Sequence, residues 1–248
     1  MSLRKPALFF LILVVTLLLV VILFKGVGPL KSLMAPPISN RIVFLGDSIT
    51  AGGASRPTGY VNLIEADLKQ QNPGRGIEII GAGISGNKVP DLQDRLQSDV
   101  LAQQPTHVVI YIGINDVWHF FFDDEIGTEP AAYEQGLQAL IAQIQATGAE
   151  VSLCTPSVIG EDPDSDAEAN QLLVEYAEIS RQVARSSDAH LCDLRAAFEQ
   201  YLQRNNPNQA YEGILTHDGV HLNDDGNRFV ADVLLDHLQP LLTPLAVE

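Results

Sequence analysis

Five short apolar runs, Ile42–Leu45, Ile77–Ile80, His107–Ile112, Val151–Cys154 and His190–Cys192, alternate with longer segments of helical spacing. This alternation leaves few folds open. The runs are rich in β-branched residues, and the clearest two are apolar without interruption, the pattern of parallel strands covered on both faces. The intervening segments predict helices over Tyr60–Gln71, Pro90–Leu101, Ala131–Ala146 and Ala167–Ser186. In the third, Leu137, Leu140, Ile141 and Ile144 form a core-facing stripe, and in the fourth Leu172, Leu173, Tyr176, Ile179 and Val183 do so. Another helix begins near Leu194. A last one follows Asn223, a good N-cap, with Asp224 and Asp225 in its first turn and Phe229, Val230, Val233 and Leu234 on one side. Strands joined by crossover helices predict a three-layer α/β/α sandwich, whose active sites gather beyond the carboxyl ends of the strands.

Ser48 stands where such a site would lie, directly after the first strand in Phe44-Leu45-Gly46-Asp47-Ser48-Ile49-Thr50. A serine hydroxyl is unreactive unless a base takes its proton, and the base needs an orienting carboxylate. Thr216-His217-Asp218-Gly219-Val220-His221 supplies both. Three residues apart on one turn, Asp218 can hold one nitrogen of His221 while the other faces Ser48. A DxxH alone also occurs in ordinary capping turns. Two further strand ends offer donors for an oxyanion: the Gly83 backbone in Gly81-Ala82-Gly83, and the Asn115 amide in Gly113-Ile114-Asn115-Asp116.

Gly46-Asp47-Ser48-Ile49, Gly83, Gly113-Ile114-Asn115-Asp116 and Asp218-Gly219-Val220-His221, in that order, resemble the four sequence blocks of SGNH (GDSL-like) hydrolases. The resemblance covers Arg41 to the C-terminus and implies a flavodoxin-like five-stranded parallel sheet. By position it implies Ser48, Asp218 and His221 as a catalytic triad, and Ser48, Gly83 and Asn115 as the oxyanion donors. Ile49 replaces the leucine of the name-giving motif, and Gly81 stands where the family often has asparagine. The activity implied is hydrolysis of carboxylic esters through an acyl-enzyme, without a cofactor; the extracytoplasmic placement and acidic surface expected of the domain favour short-chain or O-acetyl esters of neutral or carbohydrate substrates. A lysophospholipase or thioesterase, an acyltransferase and a catalytically silent carbohydrate-binding module are the alternatives.

Ahead of this domain, Ala7 to Phe24 is uncharged and flanked by Arg4, Lys5 and Lys25. As a helix it would span roughly 27 Å, close to the thickness of a bilayer core. Residues 1–25 are therefore expected to be a single N-terminal transmembrane helix, 26–40 a Gly/Pro/Ser-bearing linker and 41–248 the catalytic domain. The catalytic domain is expected to be extracytoplasmic. Cleavage after Ala35, giving a secreted protein, is the rival reading, and a buried core helix is a weaker one.

Residues 41–248 carry eleven basic and thirty-one acidic residues, a net charge of −20, against −16 for the whole chain. Such a surface repels phosphate backbones, so nucleic acid is not an expected partner. Cys154 and Cys192 lie in strand-like runs, as buried thiols or a pair across neighbouring strands. His217, Asp218 and His221 are not expected to hold a metal, because a helical HxxxH pair does not form across Gly219. Trp118-His119-Phe120-Phe121-Phe122 could line an acyl pocket, touch a membrane or pack on the domain itself.

Overall fold

The computed structural model describes residues 38–121, 126–162, 165 and 167–242. Its strands are β1 (Ile38–Gly46), β2 (Gly76–Gly83), β3 (His107–Tyr111), β4 (Glu150–Cys154) and β5 (His190–Cys192). All pair in parallel in the order β2-β1-β3-β4-β5. Every residue of β3 is buried, as its uninterrupted apolar sequence requires at the centre of a doubly covered sheet. β1 begins at Ile38, inside the stretch read as linker, because Ile38 and Asn40 already pair with Gly76 and Ile77 of β2.

The helices are α1 (Ser48–Ser55), α2 (Tyr60–Gln71), α3 (Val89–Asp99), α4 (Ile114–Trp118), α5 (Pro130–Gln145), α6 (Glu168–Ser186), α7 (Leu194–Asn205) and α8 (Asp224–Leu238). They cover both sides of the sheet: α2 packs with α8, which also meets α7, while α5 packs with α3 and α6. The predicted stripes face the core. Leu137, Leu140, Ile141 and Ile144 of α5 are fully buried, as are Leu173, Tyr176 and Val183 of α6, each side chain worth roughly 1.5–3 kcal/mol of apolar burial. Asn223 caps α8 as its sequence predicts, its side chain accepting from the Gly226 N–H at 2.8 Å.

Two helices depart from the sequence reading. Within α1, Gly52 and Gly53 obscure the helical pattern, yet Gly53 is necessary because a Cβ there would sit 2.4 Å from the Tyr60 ring. α4 is a single short turn grown from the Gly113 loop. Cys154 and Cys192 are opposite one another in the β4–β5 register, both buried and free, and burial pushes the Cys154 thiol up.

The apolar run Ala7–Phe24 and most of the 26–40 linker lie outside the described residues. Among the described residues, no helix is long and apolar enough to cross a membrane.

Candidate active site

The carboxyl ends of β1, β2 and β3 converge on the start of α1. Asp47 caps this helix by accepting the Ile49 N–H at 2.9 Å, so Ser48 occupies the first helical position, where backbone N–H groups point outward and favour negative charge. Beneath it, the Thr50 hydroxyl meets the Tyr60 hydroxyl at 2.9 Å in the core, which fixes α1 against α2.

The structure brings the two ends of the sequence motif together. Ser48 Oγ lies 2.9 Å from His221 Nε2, and His221 Nδ1 lies 2.7 Å from Asp218 Oδ2. Oδ1 of the same carboxylate accepts the backbone N–H groups of Val220 and His221 at 3.0 and 2.7 Å. Partial burial alone would push the Asp218 carboxyl up, but these hydrogen bonds hold it below the usual aspartate range. It is therefore a fixed negative charge beside the imidazole. His221 has one nitrogen facing the carboxylate and the other facing the hydroxyl, the arrangement that lets imidazole accept the serine proton.

Of the oxyanion candidates, Gly83 meets the start of α1. A Cβ on Gly83 would lie 2.2 Å from the Ala51 nitrogen and 2.7 Å from the Asp47 carbonyl, so only glycine permits this approach of β2 to α1. Asn115 is nearly buried and donates from Nδ2 to the Asn87 carbonyl at 3.0 Å, which fixes the plane of its amide. Residues with no recognisable sequence signal hold these loops. Arg95 reaches the Gly46 and Ala82 carbonyls at 2.8 and 2.9 Å and Asn87 Oδ1 at 2.7 Å, tying together the ends of β1 and β2 and the loop under Asn115. Asp116 is fully buried and accepts the Val89 N–H at 3.0 Å, linking the β3 loop to α3.

Two carboxyls below the site are perturbed. Burial pushes Asp47 up to about 7, a rise reinforced by Asp116 and opposed by the Ile49 N–H and His221. Burial likewise pushes Asp116 up to about 6.

Ser48, Asp218 and His221 open into a pocket of roughly 640 Å³. Its other walls include Ser55, Arg56, Ser85, His217 and Asn227, with Ile49 and Leu222 as apolar members. Gly83 and Asn115 are not among its lining residues. Trp118 packs beside His221, ring centroids 6.3 Å apart, while Phe120 and Phe121 are exposed and outside the pocket wall. His217 stacks on His221 at 5.8 Å, and the ligating atoms of His217, Asp218 and His221 lie within 4.8 Å of one another. Both His221 nitrogens already face partners, so a cation bound through His221 would have to displace Ser48 or Asp218.

The sequence model of the GDSL-like lipase/acylhydrolase family matches residues 44–229. An acetylxylan esterase of Geobacillus stearothermophilus is 32% identical over 209 residues, covering 79% of this chain and 92% of its own. The crystal structure of an acetyl xylan esterase superposes with a TM-score of 0.76 at 43% identity, over 79% of this chain and 98% of that one. That of an alpha/beta hydrolase enzyme from the metagenome of Lake Arreo, Spain, superposes with a TM-score of 0.72 at 30% identity, over 85% and 99%. With the motifs in their loops and three quarters of its length matched, the chain belongs to the GDSL-like lipase/acylhydrolase family of carboxylic ester hydrolases.

Proposed function

We propose that this protein removes acetyl groups from O-acetylated carbohydrate, with Ser48 as nucleophile, His221 as general base and acid, and Asp218 as the group that orients and supports the imidazole. The observation that carries the reading is the continuous Ser48–His221–Asp218 chain at the edge of a pocket walled mainly by small and polar side chains. Such a wall suits a sugar with a small acyl group better than a long acyl chain. The acetylxylan esterases that this chain resembles support the same substrate class.

In the first half-reaction, Ser48 Oγ attacks the acetyl carbonyl and passes its proton to His221 Nε2. The carbonyl oxygen becomes an oxyanion, to which the Ser48 N–H at the start of α1, the Gly83 N–H and the Asn115 amide are the assigned donors. Collapse expels the sugar oxygen, which leaves with the proton from His221, and the acetyl group remains on Ser48. Water then enters, gives a proton to His221 and attacks the acetyl carbonyl. The second tetrahedral species releases acetate as His221 returns the proton to Ser48.

The run Ala7–Phe24 supports a membrane tether at residues 1–25, with the enzyme on the extracytoplasmic side where glycan substrates are met. Fractionation of cells expressing the full chain, with protease added outside, tests this placement. Recovery in the cytosolic fraction would refute it. For the activity, the test is acetate release from acetylated xylo-oligosaccharides beside hydrolysis of p-nitrophenyl acetate, butyrate and octanoate. The expected order is acetyl first and octanoyl last. Equal rates across chain lengths, or fatty acid release from lysophospholipid without glycan deacetylation, would transfer the assignment to a lipid acyl hydrolase.

A further inference from the structure

Glu161 lies beyond β4, in Val158-Ile159-Gly160-Glu161, and is completely buried. Its carboxylate accepts three consecutive backbone N–H groups from the segment that leads into the Asp218–His221 turn. Ile214 donates to Oε2 at 2.7 Å, and Leu215 and Thr216 donate to Oε1 at 2.5 and 2.6 Å. No lysine, arginine or histidine bridges Glu161 among the described residues, so backbone dipoles alone receive this buried acid. Burying a carboxylate on such terms is costly unless every bond is well made.

The backbone around Glu161 grips the same loop. The Glu161 N–H donates to the Tyr211 carbonyl and the Gly160 N–H to the Gly219 carbonyl, each at 2.8 Å, and Asn206 Nδ2 donates to the Glu161 carbonyl at 2.8 Å. Gly219 lies between Asp218 and His221. At the loop's near end, Thr216 Oγ1 accepts the Gly219 N–H at 3.1 Å, Thr216 pairs with Leu222 in an antiparallel bridge, and the His217 N–H meets the His221 carbonyl at 2.9 Å. A shift of the 214–216 backbone therefore passes directly into the turn that carries His221.

We propose that Glu161 is a positioning residue for ester hydrolysis: its carboxylate sets the 214–216 backbone so that His221 Nε2 stands over Ser48 Oγ with Asp218 behind it. This rests on the assignment of Ser48, Asp218 and His221 given above. All three bonds require acceptors. Glutamate supplies them at both oxygens, whereas glutamine turns an amide toward at least one of the N–H groups, and aspartate falls one methylene short of spanning all three.

The test compares Glu161→Gln and Glu161→Asp with Ser180→Ala, a change in the α5–α6 core where the Ser180 hydroxyl meets Tyr133 at 2.9 Å. Folding is checked by near-UV circular dichroism, and kcat and KM for p-nitrophenyl acetate are measured across pH. A displacement near 1 Å costs on the order of 100-fold in rate. The expected result for folded Glu161→Gln is a kcat loss of that order with KM within about threefold, and a displaced acidic limb in the kcat/KM profile. Glu161→Asp is expected to recover part of the loss. Ser180→Ala is expected to lower Tm while leaving kcat and the pH profile at wild-type values.

Should Glu161→Gln fail to fold, Glu161→Asp decides by the same readouts. The downfield proton resonance of the His221 Nδ1–H···Asp218 bond, followed in Glu161→Asp beside wild type, is expected to move. A folded Glu161 variant with wild-type kcat, pH profile and resonance would overturn the proposal. Ser48→Ala is measured separately: if it remains active the serine assignment fails, and if it is dead while the Glu161 variants behave as wild type, only the positioning role fails.

Discussion

Two serine–histidine clusters with contacts of nearly equal length occur among the described residues, and only one has the arrangement of a nucleophile with its base. At the carboxyl end of the sheet, Ser48 Oγ and His221 Nε2 are 2.9 Å apart. Toward the amino ends of β3–β5, Ser152 Oγ lies 2.8 Å from His107 Nε2 and 2.7 Å from His237 Nε2. The second cluster contains more imidazole, yet Ser152 is fully buried, and its single hydroxyl proton must serve one histidine while its oxygen accepts from the other. Burial, with His190 and His237 opposite, pushes His107 down to about 4, and Glu150 opposes this only weakly. A general base must hold a proton during the reaction. His221 is one-third exposed and backed by Asp218, whereas His107 is buried and resists charge.

The sharpest break of this comparison is the pair of serine deletions. Ser48→Ala is expected to lower kcat/KM by about 10⁴-fold or more. Ser152→Ala is expected to leave kcat/KM within about threefold while costing about 1–3 kcal/mol of stability, because two imidazoles lose their partner. Steady-state kinetics and urea unfolding on both variants check this. A folded but inactive Ser152→Ala would mean that the buried cluster takes part after all.

The carboxylates sharpen the same contrast. Asp218→Asn is expected to reduce kcat by on the order of 10³-fold or more, since the amide no longer fixes the His221 tautomer. Glu150 also meets a histidine, His190, at 2.9 Å, but on the surface. Glu150→Gln is expected to change stability by less than about 0.5 kcal/mol and kcat not at all.

Acid separates the clusters by stability. The folded-state pKa of His107 lies below its ordinary value, so the unfolded chain binds more protons between pH 6.5 and about 4. Its contribution is complete above pH 6.5 and is lost as pH falls through that window, a loss on the order of 3 kcal/mol. Asp47 and Asp116 act with the opposite sign: raised to about 7 and about 6, they take up protons more readily in the folded state and add stability as pH falls toward 4. From pH 7 to 4.5 the unfolding free energy of His107→Asn is expected to change more favourably than that of wild type, because the loss due to the buried histidine is removed while the contributions of Asp47 and Asp116 remain. Equal changes would contradict the assignment of the buried histidine as the acid-sensitive group.

What the sequence made legible follows from where the physics is local. Runs such as His107–Ile112 announce a buried parallel strand by composition, and Asn223 announces a helix start by side-chain chemistry. Asp218 and His221 share one turn, a spacing that also occurs in capping turns, so it was the order of the blocks from Gly46-Asp47-Ser48-Ile49 to Asp218-Gly219-Val220-His221 and their resemblance to SGNH hydrolases that singled the site out. Glu161 and Arg95 were illegible because their roles are set by distant backbone: Glu161 meets residues 53 to 55 positions away, and Arg95 reaches Gly46 from 49 away. Glu161 in Gly-Glu-Asp-Pro-Asp reads as one more surface acid. The Ser152 cluster was hidden for the same reason, its histidines lying 45 and 85 positions away.

The most direct test of the account is covalent labelling of the full chain with diethyl p-nitrophenyl phosphate, followed by peptide mapping in mass spectrometry, with His221→Ala alongside. Stoichiometric phosphorylation of Ser48, lost together with activity and strongly slowed in His221→Ala, is the predicted result. Full inactivation with the label on another residue, or labelling of Ser48 at an equal rate without His221, would contradict the claim that this serine is the nucleophile and this histidine its base.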